Sequence, residues 1–138
     1  MLIRKIFKDN SIILGVYTFI NTFNNMNDFW NEQLPPGYYD KILEIGLSKN
    51  RGIQPNWHHS TFSYLGKLIE INEKHLDYAC GPGTFIGKYT KAKSIGVDIS
   101  KKQIDYAIDK YGKESKFLVT DDFNYQEFSS YFDKVSII

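Results

Sequence analysis

Cysteine is almost missing from this sequence, since Cys80 is the single one among 138 residues. A lone cysteine excludes an internal disulfide and a cysteine-rich metal site, so we expect a reducing compartment and a cytoplasmic location. An excess of either charge is missing as well, because 17 basic residues face 16 acidic ones and the net charge is +1. This balance gives no electrostatic case for binding nucleic acid.

A long hydrophobic segment is also lacking near the amino terminus. The apolar run over residues 12–20 follows Arg4, Lys5 and Lys8 in the manner of a signal peptide. The run is too short to span a bilayer, and residues 21–27 offer no small-residue cleavage site. We therefore expect the apolar segment 11–20 to be buried or to form a docking helix, without stable membrane insertion. A membrane role is the alternative.

The length and the turn residues of the chain indicate a helical cap followed by one α/β domain. A chain of 138 residues with 42% hydrophobic content is large enough for a single core. The Pro35-Pro36-Gly37 stretch is typical of a hinge that follows an N-terminal arm. We expect the helical arm and cap over residues 1–72 and the α/β domain over residues 73–138.

Two helices are predicted within the cap. Residues 38–45 have helical spacing, and Gly46 is a plausible stop. After a loop over residues 48–55, Asn56 is expected to cap a second helix, in which an apolar stripe runs from Trp57 to Leu68.

A glycine-rich turn lies between a strand pattern and a helix pattern in residues 75–84, which read H-L-D-Y-A-C-G-P-G-T. A helix pattern follows over residues 84–91. Gly81 and Gly83 lack a Cβ atom, so the chain can turn sharply there and a ligand can pack on the main chain. The first N–H groups of the following helix point into the same space. Taken alone, the turn is equally consistent with a strand-to-helix connection that binds nothing.

An acidic residue ends the next strand pattern. Residues 93–98 form a second short apolar strand, and its last residue, Asp98, stands 17 residues beyond Gly81. In a right-handed β-α-β unit, this spacing places Asp98 beside the end of the first strand, where its carboxylate can accept hydrogen bonds from ribose hydroxyls. The two features together predict a nucleotide-like site at the carboxyl end of a parallel sheet.

These residues resemble the class I S-adenosylmethionine-dependent methyltransferases over about residues 75–138. The first motif of that family, an acid shortly before a glycine turn, is similar to Asp77 through Gly83, with Ala79 where the family usually has its first glycine. The second motif is similar to residues 96–98. The resemblance implies an α/β, Rossmann-like three-layer αβα fold, in which strands 3-2-1-4 are present and the remainder is missing.

The resemblance also implies S-adenosylmethionine as the cofactor and assigns residues to it. Asp77 and the backbone of Ala79, Cys80, Gly81 and Gly83 would hold the methionine end, Asp98 the ribose, and Ile99, Asp121 and Asp122 the adenine. The last two residues follow a third strand pattern over residues 116–120. Taken alone, this acidic pair is typical of a solvated turn that caps a short helix over residues 125–130.

The sequence also predicts the helix after the second strand and a fourth strand. Ser100 and Gln103 have the spacing of a capping box, which predicts a helix from there to Tyr111 with Gly112 as its stop. Its sheet-facing residues would be Ile104, Ala107 and Ile108. Residues 131–138 predict a fourth strand.

Aromatic residues of the cap are the candidates for a substrate pocket. In the family that the chain resembles, helices before the first motif often cover the cofactor or the substrate, which singles out Tyr38, Tyr39, Trp57 and His58. His58 and His59 point in different directions on a helix and lack the spacing of metal ligands, so we expect no metal site. A general-base role for a histidine here is the alternative, and no catalytic residue is assigned.

The function implied by the resemblance is methyl transfer from S-adenosylmethionine to a small-molecule acceptor. We expect the 138-residue chain to be an incomplete form of such an enzyme, because it stops within the fourth strand pattern. One alternative is a non-catalytic cofactor-binding or regulatory fragment, completed by a partner chain that pairs along the strand from Val135 to Ile138. Another is an NAD(P)-dependent oxidoreductase, whose G-x-G-x-x-G fingerprint this turn misses by one residue.

Overall fold

The computed structural model of the protein describes residues 33–49 and 52–138. The predictions for the apolar segment 11–20 and for the asparagine-rich residues after it lie outside the described residues. Within the described ranges, no helix has the length and apolar character needed to cross a bilayer.

Four α-helices and four β-strands make up the regular structure of the described residues. In chain order they are α1 (Tyr38–Ser48), α2 (Ile53–Gly66), β1 (His75–Tyr78), α3 (Thr84–Tyr89), β2 (Ser94–Asp98), α4 (Lys101–Tyr111), β3 (Lys116–Val119) and β4 (Lys134–Ser136), with a 3₁₀ turn over Thr120–Asp122 after β3.

The four strands form one parallel sheet in the order β3-β2-β1-β4. The predicted Rossmann-like fold and its strand order are therefore confirmed. Crossovers from β1 to β2 and from β2 to β3 run through α3 and α4, as a parallel sheet requires. The carboxyl ends of β1 and β2 consequently lie side by side, with the glycine turn directly above them.

Each face of the sheet has its own apolar core, because side chains alternate between the faces along a strand. On one face, Leu76 and Val97 pack with Phe123 and Phe132. On the other face, α3 and α4 cover the sheet through a cluster that contains Cys80, Ile86, Ile104, Ala107 and Phe117.

Three predicted elements differ in the structure. Residues 125–130 form consecutive turns instead of a short helix, since their aromatic rings pack inward against Phe132 and Phe123. Ile108 is 50% exposed and does not face the sheet, whereas Ile104 and Ala107 are buried as predicted. The fourth strand is shorter than predicted, because only Lys134–Ser136 pair with β1.

The cap helices also begin and end at different residues from those predicted. Gly46 lies buried inside α1, because packing outweighs the modest cost of a glycine in a helix interior. Helix α2 begins at Ile53, before Asn56, and Pro55 fits its first turn because the N–H that proline lacks would have no helical partner there. Leu68 lies beyond the end of α2 and is exposed.

The predicted capping box at α4 does not form. Ser100 is the N-cap residue, but its side chain makes no capping hydrogen bond with the helix. The Gln103 side chain reaches the cap instead, where its Oε1 accepts from the Gly37 N–H at 2.9 Å and its Nε2 donates to the Pro35 carbonyl at 3.0 Å. Gln103 thus joins α4 to the start of α1.

A buried ion-pair cluster fixes α1 against the sheet domain. Asp40 is fully buried, and its Oδ2 accepts hydrogen bonds from Lys110 Nζ at 2.6 Å, Tyr106 at 2.8 Å and Tyr111 at 3.0 Å. Its Oδ1 lies 2.8 Å from Lys88 Nζ on α3. These contacts join three helices, because Lys88 lies in the last turn of α3 and Lys110 in the last turn of α4.

Candidate functional site

A cavity of about 540 Å³ lies at the carboxyl ends of β1 and β2, between the sheet domain and the cap helices. Six of the residues predicted to bind the cofactor line it, namely Asp77, Ala79, Cys80, Gly81, Asp98 and Ile99. Three of the four residues predicted for the substrate pocket, Tyr39, Trp57 and His58, line it as well. One cavity therefore contains most of the residues that were singled out from the sequence.

The turn after β1 exposes its backbone to this cavity. Ala79, Gly81 and Gly83 have φ angles of 65°, 52° and 73°, in the left-handed region that favours glycine. A Cβ atom placed on Gly81 would meet no atom within 4 Å, so this glycine opens onto free space. A Cβ atom on Gly83 would lie 2.7 Å from the Phe117 ring, so this second glycine allows close internal packing instead.

Asp98 links the end of β2 to the glycine turn. Its Oδ2 accepts a hydrogen bond from the Gly81 N–H at 2.8 Å, and its Oδ1 accepts one from the Ser100 N–H at 2.8 Å. Burial raises the pKa of this carboxyl, while the backbone donors oppose the shift. The Ile99 backbone N–H also acts on this carboxylate, so at least one of its lone pairs remains to accept from a ligand hydroxyl.

Asp77 is the second acid of the site, and its side chain is only 3% exposed. Burial, together with the nearby negative charge of Asp98, raises its pKa to about 7, although a hydrogen bond from Ser136 acts in the opposite direction. Ser136 Oγ donates to Asp77 Oδ1 at 2.5 Å. A carboxylate in this state changes its charge near neutral pH.

The side of the cavity facing the cap is a row of stacked rings. The His58 ring stacks on Phe62, with their centroids 5.6 Å apart and an angle of 10° between the planes, and it also contacts Trp57 at 5.1 Å. Phe62 in turn packs on Phe85 at 5.4 Å. Burial lowers the pKa of His58, which favours the neutral form of the imidazole.

Four of the residues singled out from the sequence do not line the cavity. Gly83 packs internally, and Tyr38 lies on α1 beside Tyr39 without reaching the cavity wall. Asp121 and Asp122 are exposed, because the chain turns into a 3₁₀ turn immediately after β3. The structure thus leaves the predicted adenine contacts outside the cavity, apart from Ile99.

Several residues of the site were not identified from the sequence. Gln54, Phe62, Thr84, Phe85, Ser100 and Gln103 line the cavity. The Thr84 Oγ1 is buried and has no hydrogen-bond partner among the described residues. Its position directly after the glycine turn was an available signal, whereas Gln103 reaches the site through contacts with the cap that no sequence pattern reveals.

The chemistry available in this cavity is that of binding and orientation. It combines the buried carboxyl of Asp77, the partly buried carboxyl of Asp98, an exposed turn backbone and an aromatic wall. Among residues 33–49 and 52–138, no three His, Cys, Asp or Glu side chains are grouped so that they could hold a metal ion. A ligand that fits this cavity has hydroxyl or cationic donors where it meets the carboxyls and apolar surface where it meets the aromatic rings.

Comparison with known proteins finds similarity in solved structures. No protein-family model matches the chain, and no curated protein matches it. It is 21% identical to a TehB-like SAM-dependent methyltransferase from Corynebacterium glutamicum, over 60% of this chain and 43% of that one, with a TM-score of 0.43.

Two further similar structures were determined with a bound ligand. The chain is 19% identical to a SAM-dependent methyltransferase from Thiobacillus denitrificans in complex with S-adenosyl-L-homocysteine, over 45% of this chain and 29% of that one, with a TM-score of 0.40. A SAM-dependent methyltransferase from Geobacter sulfurreducens, in complex with the same compound, is 18% identical, with the same coverage and TM-score. The chain spans only 29% to 43% of the length of these three proteins.

Proposed function

We propose that this cavity binds S-adenosylmethionine and that the complete protein transfers its methyl group to a small-molecule acceptor. The observation that carries the proposal is the position of Asp98, whose carboxylate closes on the glycine turn through Gly81 at 2.8 Å while lining the same cavity. A partly buried acid at the end of the second strand of a parallel sheet, beside a glycine turn after the first strand, suits a ribose.

The residues present fit this cofactor in three respects. Gly81 leaves open space where any other side chain would begin, so a ligand can lie directly on the turn. Asp98 has remaining acceptor capacity for a ribose hydroxyl beside its backbone donors. Thr84 Oγ1, buried in the cavity wall without a partner in the described part of the chain, is a polar group that a bound ligand would satisfy.

The proposed contacts follow from these positions. Asp77 and the backbone of residues 79–83 would hold the methionine end, where a carboxylate suits an ammonium group. Asp98 would hold the ribose, and Ile99 would pack on the adenine. Asp121 and Asp122 stay predicted adenine contacts, and the exposed 3₁₀ turn that carries them would have to move towards the cavity.

When bound, the cofactor supplies a methyl group that is activated by a sulfonium, and the neutral thioether is the leaving group. The chain needs only to align an acceptor and exclude water. Trp57, His58 and Tyr39 would form the acceptor wall in this proposal, and no side chain is assigned as the base. A cytoplasmic location stays a prediction from the cysteine content.

A partner chain along β4 stays a proposal that the sheet geometry supports. Within the described residues, β4 pairs only with β1, so its other edge is available for a further strand. Cofactor affinity without methylation of any acceptor would favour the alternative of a non-catalytic binding fragment.

Calorimetric titration with S-adenosylhomocysteine tests the proposed cofactor site, with NADH as the comparison ligand. We expect micromolar binding of the first compound only. Asp98→Asn should weaken binding by about tenfold or more, since each lost hydrogen bond contributes about 1 kcal/mol. Gly81→Ala should also weaken it, because the new methyl group enters the cavity.

The matched control is Asp109→Asn, which changes an exposed acid on α4 and should leave binding unchanged. Circular dichroism of each variant verifies that it is folded. Binding of NADH alone would point to the oxidoreductase alternative, and binding of neither ligand by a folded chain would contradict the proposal.

A further inference from the structure

A continuous chain of hydrogen bonds runs beneath the cavity across three strands. It starts at Asp77 Oδ1 on β1, which Ser136 Oγ on β4 contacts at 2.5 Å. Ser136 Oγ lies 2.9 Å from His75 Nε2, and His75 Nδ1 lies 2.8 Å from Ser94 Oγ on β2. Ser94 Oγ lies 3.3 Å from the Ala92 carbonyl, where the chain ends.

The number of hydrogen atoms available to this series of hydrogen bonds depends on the charge of Asp77. Four contacts need four hydrogens, one in each contact. A protonated Asp77 provides them all: its O–H donates to Ser136, Ser136 donates to His75 Nε2, His75 Nδ1–H donates to Ser94, and Ser94 donates to the Ala92 carbonyl. In this state a neutral His75 must be the Nδ1–H tautomer.

When Asp77 is ionised, the donor and acceptor roles along this series of hydrogen bonds are reversed. Ser136 must then donate to the carboxylate, and three hydrogens remain for four contacts. If His75 kept its Nδ1–H form, the lone pairs of Nε2 and Ser136 Oγ would face each other at 2.9 Å. The Nε2–H form avoids this repulsion, because Nε2 then donates to Ser136 and Nδ1 accepts from Ser94. Only the longest hydrogen bond, between Ser94 Oγ and the Ala92 carbonyl, is lost.

We propose that His75 and Ser136 are positioning residues for Asp77, and that the tautomer of His75 is coupled through Ser136 to the charge of the Asp77 carboxylate. In the reversal, one proton is added at Asp77, the ring proton of His75 moves from Nε2 to Nδ1, and both serine hydroxyls turn. No other bond changes. This inference deepens the proposed function and rests on it in one respect: the cationic group that Asp77 would hold is the ammonium of the cofactor.

The surroundings of the chain favour this coupling. The titratable groups that face Asp77 are Asp98, at the end of β2, and the Cys80 thiol in the turn, while β4 contributes the uncharged Ser136. The Phe85 ring on α3 packs against His75 at an interplanar angle of 83°, with their centroids 5.9 Å apart. Burial lowers the pKa of His75 to about 4, so its ring stays neutral while Asp77 titrates near pH 7.

The test is a ¹⁵N NMR titration of the histidine ring nitrogens between pH 5.5 and about pH 8.5, without any ligand. His58 and His59 are the remaining histidines of the chain and provide internal references. We expect the downfield shift of an unprotonated ring nitrogen to move from Nε2 to Nδ1 of His75 as the pH rises, with a midpoint near the pKa of Asp77. A His75 tautomer that stays unchanged over this range overturns the proposal, as does an imidazolium at low pH.

Variants separate coupling from a purely structural role. Asp77→Asn, which cannot ionise, should hold His75 in a single tautomer at every pH, because the amide does not change its charge. Ser136→Ala should abolish the pH dependence of the tautomer, and Ser136→Thr should restore it because the hydroxyl returns. The exposed Ser48→Ala on α1 is the matched control and should behave as the unmodified chain. Persistence of the switch in Ser136→Ala would overturn the proposal.

A ligand titration distinguishes this inference from the proposed function. If S-adenosylhomocysteine binds through Asp77, its ammonium should move the midpoint of the tautomer change to lower pH. A tautomer switch in the free chain without binding in the calorimeter would leave the coupling intact and contradict only the cofactor assignment. Binding of S-adenosylhomocysteine without any change of tautomer would support the cofactor assignment and contradict the coupling.

Discussion

Ala79 holds a backbone conformation that suits glycine better than alanine. Its φ of 65° lies in the left-handed region, where a Cβ atom costs about 1–2 kcal/mol. The family resemblance places a glycine at this position, and the structure supplies the physical reason. The alanine at position 79, where the family usually has glycine, therefore introduces local backbone strain into the turn that lines the cavity.

Relief of this strain is measurable as stability. Ala79→Gly should raise the free energy of unfolding by about 0.5–1 kcal/mol, because the strain removed exceeds the added entropy of a glycine in the unfolded chain. Urea unfolding of both proteins measures the difference. The buried Ala107→Gly inside α4 should instead destabilise, and a loss of stability in Ala79→Gly would contradict the argument.

At the scale of elements, one carboxylate connects the cap to the sheet domain. Asp40 on α1 meets Lys88 of α3 and Lys110 of α4, while both lysines also contact Glu44 at the surface. These partners lower the pKa of Asp40 to about 2, although burial opposes the shift. No periodicity in the sequence marks this cluster, because its members come from three separate helices.

Removal of that carboxylate should weaken the attachment of α1 to the sheet domain. Asp40→Asn should lower the free energy of unfolding by about 2–4 kcal/mol, since a buried ion pair loses one partner. The matched control, Glu44→Gln, removes an exposed partner of the same lysines and should cost no more than about 1 kcal/mol. Urea unfolding at neutral pH compares the two variants.

The pH dependence of this effect has a defined sign. Because the folded pKa of Asp40 lies below its ordinary value of 3.8, the stabilisation is complete above about pH 4 and is lost as the pH falls through about 2. The difference between the unmodified chain and Asp40→Asn should therefore shrink in acid. A difference that persists at pH 2 would contradict the assignment.

At the scale of the whole molecule, Asp77 makes the free chain less stable as the pH rises. Its folded pKa of about 7 lies above its ordinary value of 3.8, so folding favours the protonated form. The cost begins near pH 4, grows up to about pH 7 and is constant above it. This range is separate from the acid range in which Asp40 acts.

Asp77→Asn should remove that cost. We expect the variant to be more stable than the unmodified chain at pH 8 by up to about 4 kcal/mol, and the advantage should vanish near pH 3.5. Urea unfolding without ligand across this range measures it. Asp109→Asn, the exposed control, should show no such trend, and an equal offset at every pH would argue against ionisation as the cause.

The sequence by itself determined the glycine turn and the place of Asp98 beside Gly81, whereas the sheet order was implied by the family resemblance. The turn and the position of Asp98 depend on local patterns, since strand and turn chemistry and one crossover length are sufficient to set them. The resemblance also indicated pocket residues in the cap, and Tyr39, Trp57 and His58 line the cavity whereas Tyr38 does not. The predicted bounds of the cap helices were wrong.

Only the tertiary structure decided which distant side chains meet. Ser136 reaches Asp77 because the parallel register of β1 and β4 places them opposite each other. Gln103 serves the cap instead of its own helix, and Asp121 and Asp122 lie outside the cavity, because packing and chain direction outweigh local motifs. These contacts depend on three-dimensional proximity between separate strands and helices, which the spacing of residues along the sequence does not predict.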